Sequence, residues 1–253
     1  YSGGNNHTKG VGIILDAERA KMVKGFWTIS ERVMLLKLQG TPVDINIIQI
    51  YAPTTDSTEE ELDDFYNQLQ IAMKQCKAHE VTIVMGDFNA KVGSEKVDET
   101  TGGCGLGEKN DRGNTLIEWA TINNMIIGNT WFKHHPRRLW TWRSPDNNTH
   151  NQIDYIMINK RFRNGLLNIK TRPGADCDSD HTLLIGKVRI KLKKIKRGAR
   201  NIISNSSTLK TDTKVKDSFK RIIQNRYNNI TLWKQQKNNG KCLKNQSNKC
   251  QRN

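Results

Sequence analysis

Val81-Thr82-Ile83-Val84-Met85-Gly86-Asp87-Phe88-Asn89-Ala90 is an apolar run that stops abruptly in a turn. Five residues rich in β-branched side chains read as a buried strand. A carboxylate and a carboxamide two residues apart at its C-terminal end point the same way, which suits gripping a metal ion or a phosphate oxygen. Gly-Asp-x-Asn is also an ordinary turn in which Asp and Asn bond the local backbone. On this segment alone the turn is the better reading.

Upstream, Asp44 to Tyr51 alternates polar and apolar residues, as a strand with one buried face should. Further strands are expected at Gly10 to Leu15, Arg32 to Gln39, Met125 to Asn129, Leu139 to Arg143, Gln152 to Asn159 and Thr182 to Leu192. Ser57 or Thr58 can cap a helix running to about Cys76, Thr58 being followed three residues on by Glu61, with Leu62, Phe65, Tyr66, Leu69, Ala72 and Met73 at helical spacing. The acidic stretch Asp56 to Asp64 then belongs to a helix N-terminus. A second helix is expected over Asn114 to Asn124. Strands and helices mixed in this order predict an α/β sandwich.

Two more segments carry chemistry. Asp178-Ser179-Asp180-His181 leads into an apolar strand, where Asp and His can act as metal ligand and as general base or phosphate clamp; a solvated acidic loop is the alternative. Gln152-Ile153-Asp154-Tyr155-Ile156 places a carboxylate in an apolar strand, so Asp154 needs a partner. A histidine is a natural one, and a hydrogen bond to Asn or Arg is the other possibility.

The 253 residues carry a net charge of +16, from 41 Lys and Arg against 25 Asp and Glu. From Lys187 onward there are 20 bases and two acids, a local +18; the remainder sums to −2. The positive charge therefore sits in an Asn-rich tail, expected over 196–253 as partly helical or disordered, after a domain over 1–195. Within the tail, Val215 to Trp233 predicts a basic helix with Phe219, Ile222, Ile223, Tyr227 and Ile230 on one face. Five cysteines without a Cys-x-x-Cys pair argue against a disulfide framework or a structural zinc site. No apolar run approaches the ~20 residues needed to cross a bilayer. Nothing asks for a membrane or an obligate oligomer, and with no readable N-terminal address the expected compartment is nuclear or cytoplasmic, not secreted.

Gln49-Ile50-Tyr51-Ala52-Pro53-Thr54, Gly86-Asp87-Phe88-Asn89, Ile153-Asp154-Tyr155-Ile156 and Ser179-Asp180-His181 follow one another in an order that resembles the endonuclease/exonuclease/phosphatase superfamily. Tyr1-Ser2-Gly3-Gly4, His7 to Gly12, Thr141 to Asp146 and Thr171 to Cys177 are similar to the apurinic-type endonuclease domain of non-LTR (LINE) retrotransposons. The resemblance implies a four-layer α/β sandwich, two packed mixed sheets flanked by helices, acting on DNA phosphodiesters with Mg2+ or Mn2+. It implies that Asp87 orients or deprotonates water and that Asn89 holds the scissile phosphate. His181, paired with Asp154, would bind or protonate a phosphate oxygen; Asp180 would bind the metal alongside Asp87 or support a group that does, and Tyr51 would donate to the phosphate or to the pentacovalent state. The family's first two strands, the second ending in a metal-binding Glu, have no counterpart in this sequence, and Glu18 and Glu31 stand in the wrong context to substitute. The basic, aromatic stretch Trp131 to Arg143 and the Lys/Arg cluster after Lys187 suggest nucleic-acid contacts at Arg137, Arg138, Trp142, Arg143, Lys193 and Lys194. Trp140 and Trp142 would share one face of a strand, and His134-His135 reads as a solvated loop.

Overall fold

A strand that alternates Asn46, Ile48 and Ile50 with Ile45, Ile47 and Gln49 must present two different faces, and β5 (Ile45–Tyr51) does: the first set is buried and the second half-buried. The computed structural model describes residues 1–3, 9–175, 178–190 and 212–227. Short strands β1 (Ser2–Gly3) and β2 (Gly10–Val11) pair with each other. After the four-residue helix α1 (Ala17–Ala20) come β3 (Val23–Thr28) and β4 (Val33–Leu38). Then follow α2 (Glu59–Lys74), β6 (Val81–Asp87), α3 (Asp111–Ile122), β7 (Met125–Ile127), β8 (Trp142–Arg143), β9 (His150–Asn151), β10 (Asp154–Asn159), β11 (Leu166–Thr171) and β12 (Leu184–Val188).

Six strands form one mixed sheet in the order β3-β4-β5-β6-β10-β7, with β5 and β6 parallel and every other pair antiparallel. One face packs on α2 through Phe65 and Leu69 and on α3 through Leu116 and Ala120, against Leu35, Ile48, Ile50, Val84 and Met157. Each such fully buried aliphatic or aromatic side chain contributes roughly 1.5–3 kcal/mol. On the other face Val81, Ile126, Ile156 and Ile158 pack with Leu166 and Ile169 of β11 and Leu184 and Val188 of β12. The expected α/β sandwich is present. Among the described residues its second sheet is the antiparallel pair β11–β12, not a mixed sheet.

Helix α2 starts where its sequence says: Thr58 accepts a hydrogen bond from the Glu61 N–H, and Glu59, Glu60 and Glu61 fill the first turn. Helix α3 starts three residues earlier than expected, capped by Asn110. A Cβ at Gly113 would stand 1.8 Å from the Lys91 carbonyl oxygen, so glycine is what lets the helix approach. The expected strand Leu139 to Arg143 shrinks to Trp142–Arg143, and Trp140 lies outside it, its ring 4.7 Å from that of His150. Met125 to Asn129 ends at Ile127 and passes into a 3-10 turn, Gly128–Trp131. Strands β1, β3, β9 and β11 were not expected.

At the N-terminal ends of β5 and β6 a polar network is sealed in. Glu80, 3% exposed, accepts from Lys37 Nζ at 3.0 Å, Asn46 Nδ2 at 2.9 Å and the Lys77 N–H at 3.0 Å. Burial pushes this carboxyl up, but the three donors outweigh it and hold Glu80 down at about 2.

The chain divides into two units, Tyr1–Lys193 and Lys194–Asn253. In the second, a helix over residues 213–227 opens on Asp212, whose Oδ1 accepts from the Lys214 N–H at 2.9 Å. Phe219, Ile222 and Ile223 are about half exposed along it; Ile230, Trp233 and the last two residues of the expected final strand, Lys191 and Leu192, lie outside the described residues. No described helix is long and apolar enough to cross a membrane. Cys76 and Cys104 are free thiols; the other three cysteines fall outside the described residues.

Candidate functional site

Register brings the candidate residues together. Tyr51 at the end of β5 lies beside Asp87 at the end of β6, and Asp87 lies beside Asp154 at the start of β10. Gly86 makes the close approach possible: its φ is +141°, and a Cβ there would stand 2.0 Å from the Ile50 carbonyl oxygen. Beyond the strand, Asn89 adopts φ +47°, a left-handed conformation that Asn tolerates better than most residues. Its N–H donates to Asp87 Oδ1 at 2.9 Å and its Nδ2 to the Ala52 carbonyl at 3.0 Å. The Gly-Asp-x-Asn turn and the candidate pair Asp87 and Asn89 are thus one object: the hydrogen bond that shapes the turn also orients Asp87.

Asp154 finds the histidine partner expected of it. His181 Nδ1 stands 2.9 Å from Asp154 Oδ2, which leaves Nε2 as the ring nitrogen available to a substrate. This hydrogen bond raises the His181 pKa above its ordinary value, against the opposing effect of burial. The pair is held from behind by two residues that sequence reasoning missed. Thr141 Oγ1 accepts from the N–H groups of both Ile153 and Asp154 at 3.0 Å. Asn129 reaches across with Nδ2 to the Asp154 carbonyl and accepts from the Ile156 N–H, standing in for ladder bonds that β7 no longer makes. Trp142 bridges to His181 in antiparallel fashion, the Arg143 N–H donates to the Asp180 carbonyl at 3.0 Å, and Trp142 Nε1 donates to Asp180 Oδ2 at 2.9 Å.

Tyr51, Asp87, Asn89, Trp142, Asp180 and His181 line one open cleft of about 540 Å³, with Lys91, Asn110 and the loop Thr54 to Asp56. Arg112 in the first turn of α3 holds that loop through the carbonyls of Pro53, Thr55 and Ser57 at 3.0–3.5 Å. Arg32 lies 5.1 Å from the centre of the Tyr51 ring and donates to the Tyr51 carbonyl. Burial raises the Asp87 pKa to about 6, and the neighbouring carboxylates of Asp154 and Asp180 push the same way. The Asn89 N–H and His181 offset only part of this.

Negative charge is therefore in excess at Asp87. One oxygen each of Asp87 and Asp180 is taken by a hydrogen bond, from Asn89 and Trp142, leaving a carboxylate oxygen on each. This donor set fits a hard divalent cation held by one or two carboxylates and completed by water. Among the described residues no group of three acidic, His or Cys side chains encloses a metal. Glu18 is exposed on α1 and pairs with Lys21, and Glu31 lines a different hollow beside Arg32, so neither serves the cleft.

Other expected residues lie elsewhere. Arg137 and Arg138 sit exposed in a 3-10 turn, Pro136–Arg138, beside His135 and Pro173 rather than in the cleft. His134, expected to be solvated, is half-buried with Nε2 2.8 Å from Asn168 Oδ1. Lys193 and Lys194 are outside the described residues. Lys91 and Asn110 went unnoticed in the sequence, although Lys91 directly extends the Gly-Asp-Phe-Asn-Ala run and Asn110 precedes an Asp-Arg-Gly helix start.

Residues 45–185, more than half of the chain, match the family model described as endonuclease-reverse transcriptase. Craniofacial development protein 2 of Bos taurus is 42% identical over 191 residues, covering 76% of this chain and 32% of the relative. The Tragulus javanicus protein of the same name is 41% identical over 191 residues, covering 76% and 33%. The chain thus spans about a third of the length of the curated relatives it matches. The endonuclease domain of TRAS1, a telomere-specific non-LTR retrotransposon, is similar in fold, with a TM-score of 0.50 at 14% identity over 64% of each chain. With three of its four motif segments on neighbouring strands of one mixed sheet, the fourth brought to them by the His181–Asp154 contact, and more than half its length matched, the chain belongs to the endonuclease-reverse transcriptase family, within the endonuclease/exonuclease/phosphatase superfamily.

Proposed function

We propose that the chain hydrolyses phosphodiester bonds in DNA with the help of Mg2+ or Mn2+. The observation that carries this reading is the meeting of Asp87 and the Asp154–His181 pair on adjacent strand ends in one cleft. With no metal ion beside it Asp87 has a pKa of about 6, so at neutral pH it is deprotonated and can orient an attacking water or take its proton. Asn89 fixes the carboxylate's direction. The water oxygen bonds to phosphorus as the bond to the leaving oxygen breaks, and that oxygen takes a proton from solvent to depart as the alcohol. The Nε2–H of protonated His181 and the Tyr51 hydroxyl donate hydrogen bonds to the phosphoryl oxygens where negative charge develops. Asp154, accepting from Nδ1–H, keeps Nε2 toward the substrate and favours the protonated ring. Asp87 and Asp180 would hold the metal, which supplies charge neutralisation at the phosphate.

Nicking of a supercoiled plasmid in Mg2+ or Mn2+ tests this reading. Conversion to open circles, lost in Asp87→Ala and in His181→Ala, supports it; nicking unchanged by either substitution removes the site assignment. A second reading rests on the scarcity of metal ligands among the described residues: a protein that holds DNA without cutting it. Retained DNA binding with no nicking under either metal would favour that. In both readings the +18 segment after Lys187 adds phosphate contacts that weaken steeply with salt.

A further inference from the structure

We infer that Lys91 and Asn110 form a second phosphate-binding position in the cleft, so that the substrate is a nucleic-acid strand carrying a further phosphate beside the scissile one. This deepens the proposed function and rests on reading the Asp87–His181 position as the place of the scissile phosphate. Lys91 is the one Lys or Arg among the described residues that line the cleft. Its stem is half-buried, and no described carboxylate lies within ion-pair distance of its Nζ, whereas Lys37 and Lys109 are paired with Glu80 and Glu95. Its backbone is pinned. The Lys91 N–H donates to Asn110 Oδ1 at 2.9 Å, and the Asn110 N–H donates to the Lys91 carbonyl at 3.1 Å.

Asn110 Oδ1 also accepts from the Gly113 N–H at 2.9 Å, which fixes the direction of the amide. With Oδ1 doubly occupied, Nδ2 is the polar atom that Asn110 has left for the cleft. A lysine ammonium and an amide NH2 are donors only and call for an oxygen-rich anion. The acidic side of the cleft, Asp87 and Asp180, repels such an anion unless a cation intervenes, so the two positions are chemically distinct. An ester with a single phosphate occupies the Asp87–His181 position and leaves the donors of Lys91 and Asn110 unmet. A strand meets both.

Lysine acylation followed by peptide mass spectrometry tests this on the full chain, in Ca2+ to limit cleavage. The probes are the oligonucleotide dT12 and the methyl ester of thymidine 5′-phosphate, which has one phosphodiester. With dT12 at about ten times its Kd, Lys91 should label about tenfold more slowly, as occupancy dictates, while Lys109 labels at an unchanged rate. The mononucleotide diester should leave Lys91 labelling unchanged. In fluorescence anisotropy, Lys91→Met should reduce the slope of log Kd for dT12 against log salt by about 0.7, the loss of one single-strand phosphate contact. Protection of Lys91 by the mononucleotide diester, or an unaltered labelling rate with dT12, overturns the inference. The readout does not depend on cleavage. A protected Lys91 in a chain that never nicks DNA keeps this position and removes the hydrolytic reading; robust nicking with an unprotected Lys91 does the reverse.

Discussion

Strand β6 carries a carboxylate at each of its ends, and the two are treated in opposite ways. Glu80, just before the strand, receives donors from Lys37, Asn46 and the Lys77 backbone and is held at about 2. Asp87, at its other end, is held up at about 6 by burial and by Asp154 and Asp180, with a single backbone donor from Asn89 in compensation. A carboxylate whose charge is fully met inside the protein has nothing left to offer a substrate. One that is left short of donors stores a demand for a proton or a cation, and that demand marks the cleft.

The largest effect expected of this contrast is catalytic. Asp87→Asn should lower plasmid nicking by about a thousandfold or more, the scale of losing a positioned base. The same substitution should raise thermal stability, because a carboxylate whose pKa is raised from 3.8 to about 6 costs the fold on the order of 3 kcal/mol above that window. A calorimetric scan that shows Asp87→Asn melting earlier than the parent would contradict this. At the opposite end the sign inverts: Glu80→Gln should cost about 3 kcal/mol, read as a lower denaturant midpoint, since it strips a buried partner from Lys37. Because the folded pKa of Glu80 is depressed, its contribution is present above its ordinary value of 4.5 and disappears as pH falls from there toward about 2. If acid titration of the Gln variant runs parallel to the parent across that window, the network contributes nothing.

A smaller effect is expected one strand over. Asp154→Asn should reduce nicking about 10- to 100-fold, in line with the loss of a carboxylate that orients an imidazole, and should bring the His181 pKa back down when followed by NMR. A His181 titration that does not move would show that the pairing seen at 2.9 Å has no electrostatic weight. Smallest is the titration of Asp87 itself. In the metal-free chain it should titrate near pH 6 by NMR, and in Asp154→Asn that titration should shift toward lower pH, because a charge that raises Asp87 is gone. A titration that stays put removes Asp154 as a cause of the raised value.

What the sequence disclosed about these two ends differs for physical reasons. The cleft was legible because its residues lie in short local signals: an apolar strand running into Gly86-Asp87-Phe88-Asn89, and a carboxylate misplaced in the apolar run at Asp154. The alternation of β5 and the cap at Thr58 were equally plain, since each is decided within a few residues. Strands β3 and β11 escaped notice because each carries a register shift, between Val23 and Gly25 and between Leu166 and Asn168, that breaks the two-residue period. The Glu80 network was invisible for another reason. Glu80 accepts from Lys37 and Asn46, 43 and 34 residues away in sequence, and no local pattern announces such a meeting. Thr141, Asn129 and Arg112 belong to the same class: polar residues whose importance lies in the main-chain groups of distant segments that they satisfy.

Arg112 has a thermodynamic consequence of its own. By gripping the carbonyls of Pro53, Thr55 and Ser57, one side chain orders a wall of the cleft before any ligand arrives. The loss of freedom that a loose loop would suffer on association, roughly 1–2 kcal/mol for each residue fixed, has already been met during folding. Association at this cleft should therefore show little of the heat-for-entropy exchange typical of segments that fold around their partners, and calorimetry of Arg112→Ala should bring that signature into view.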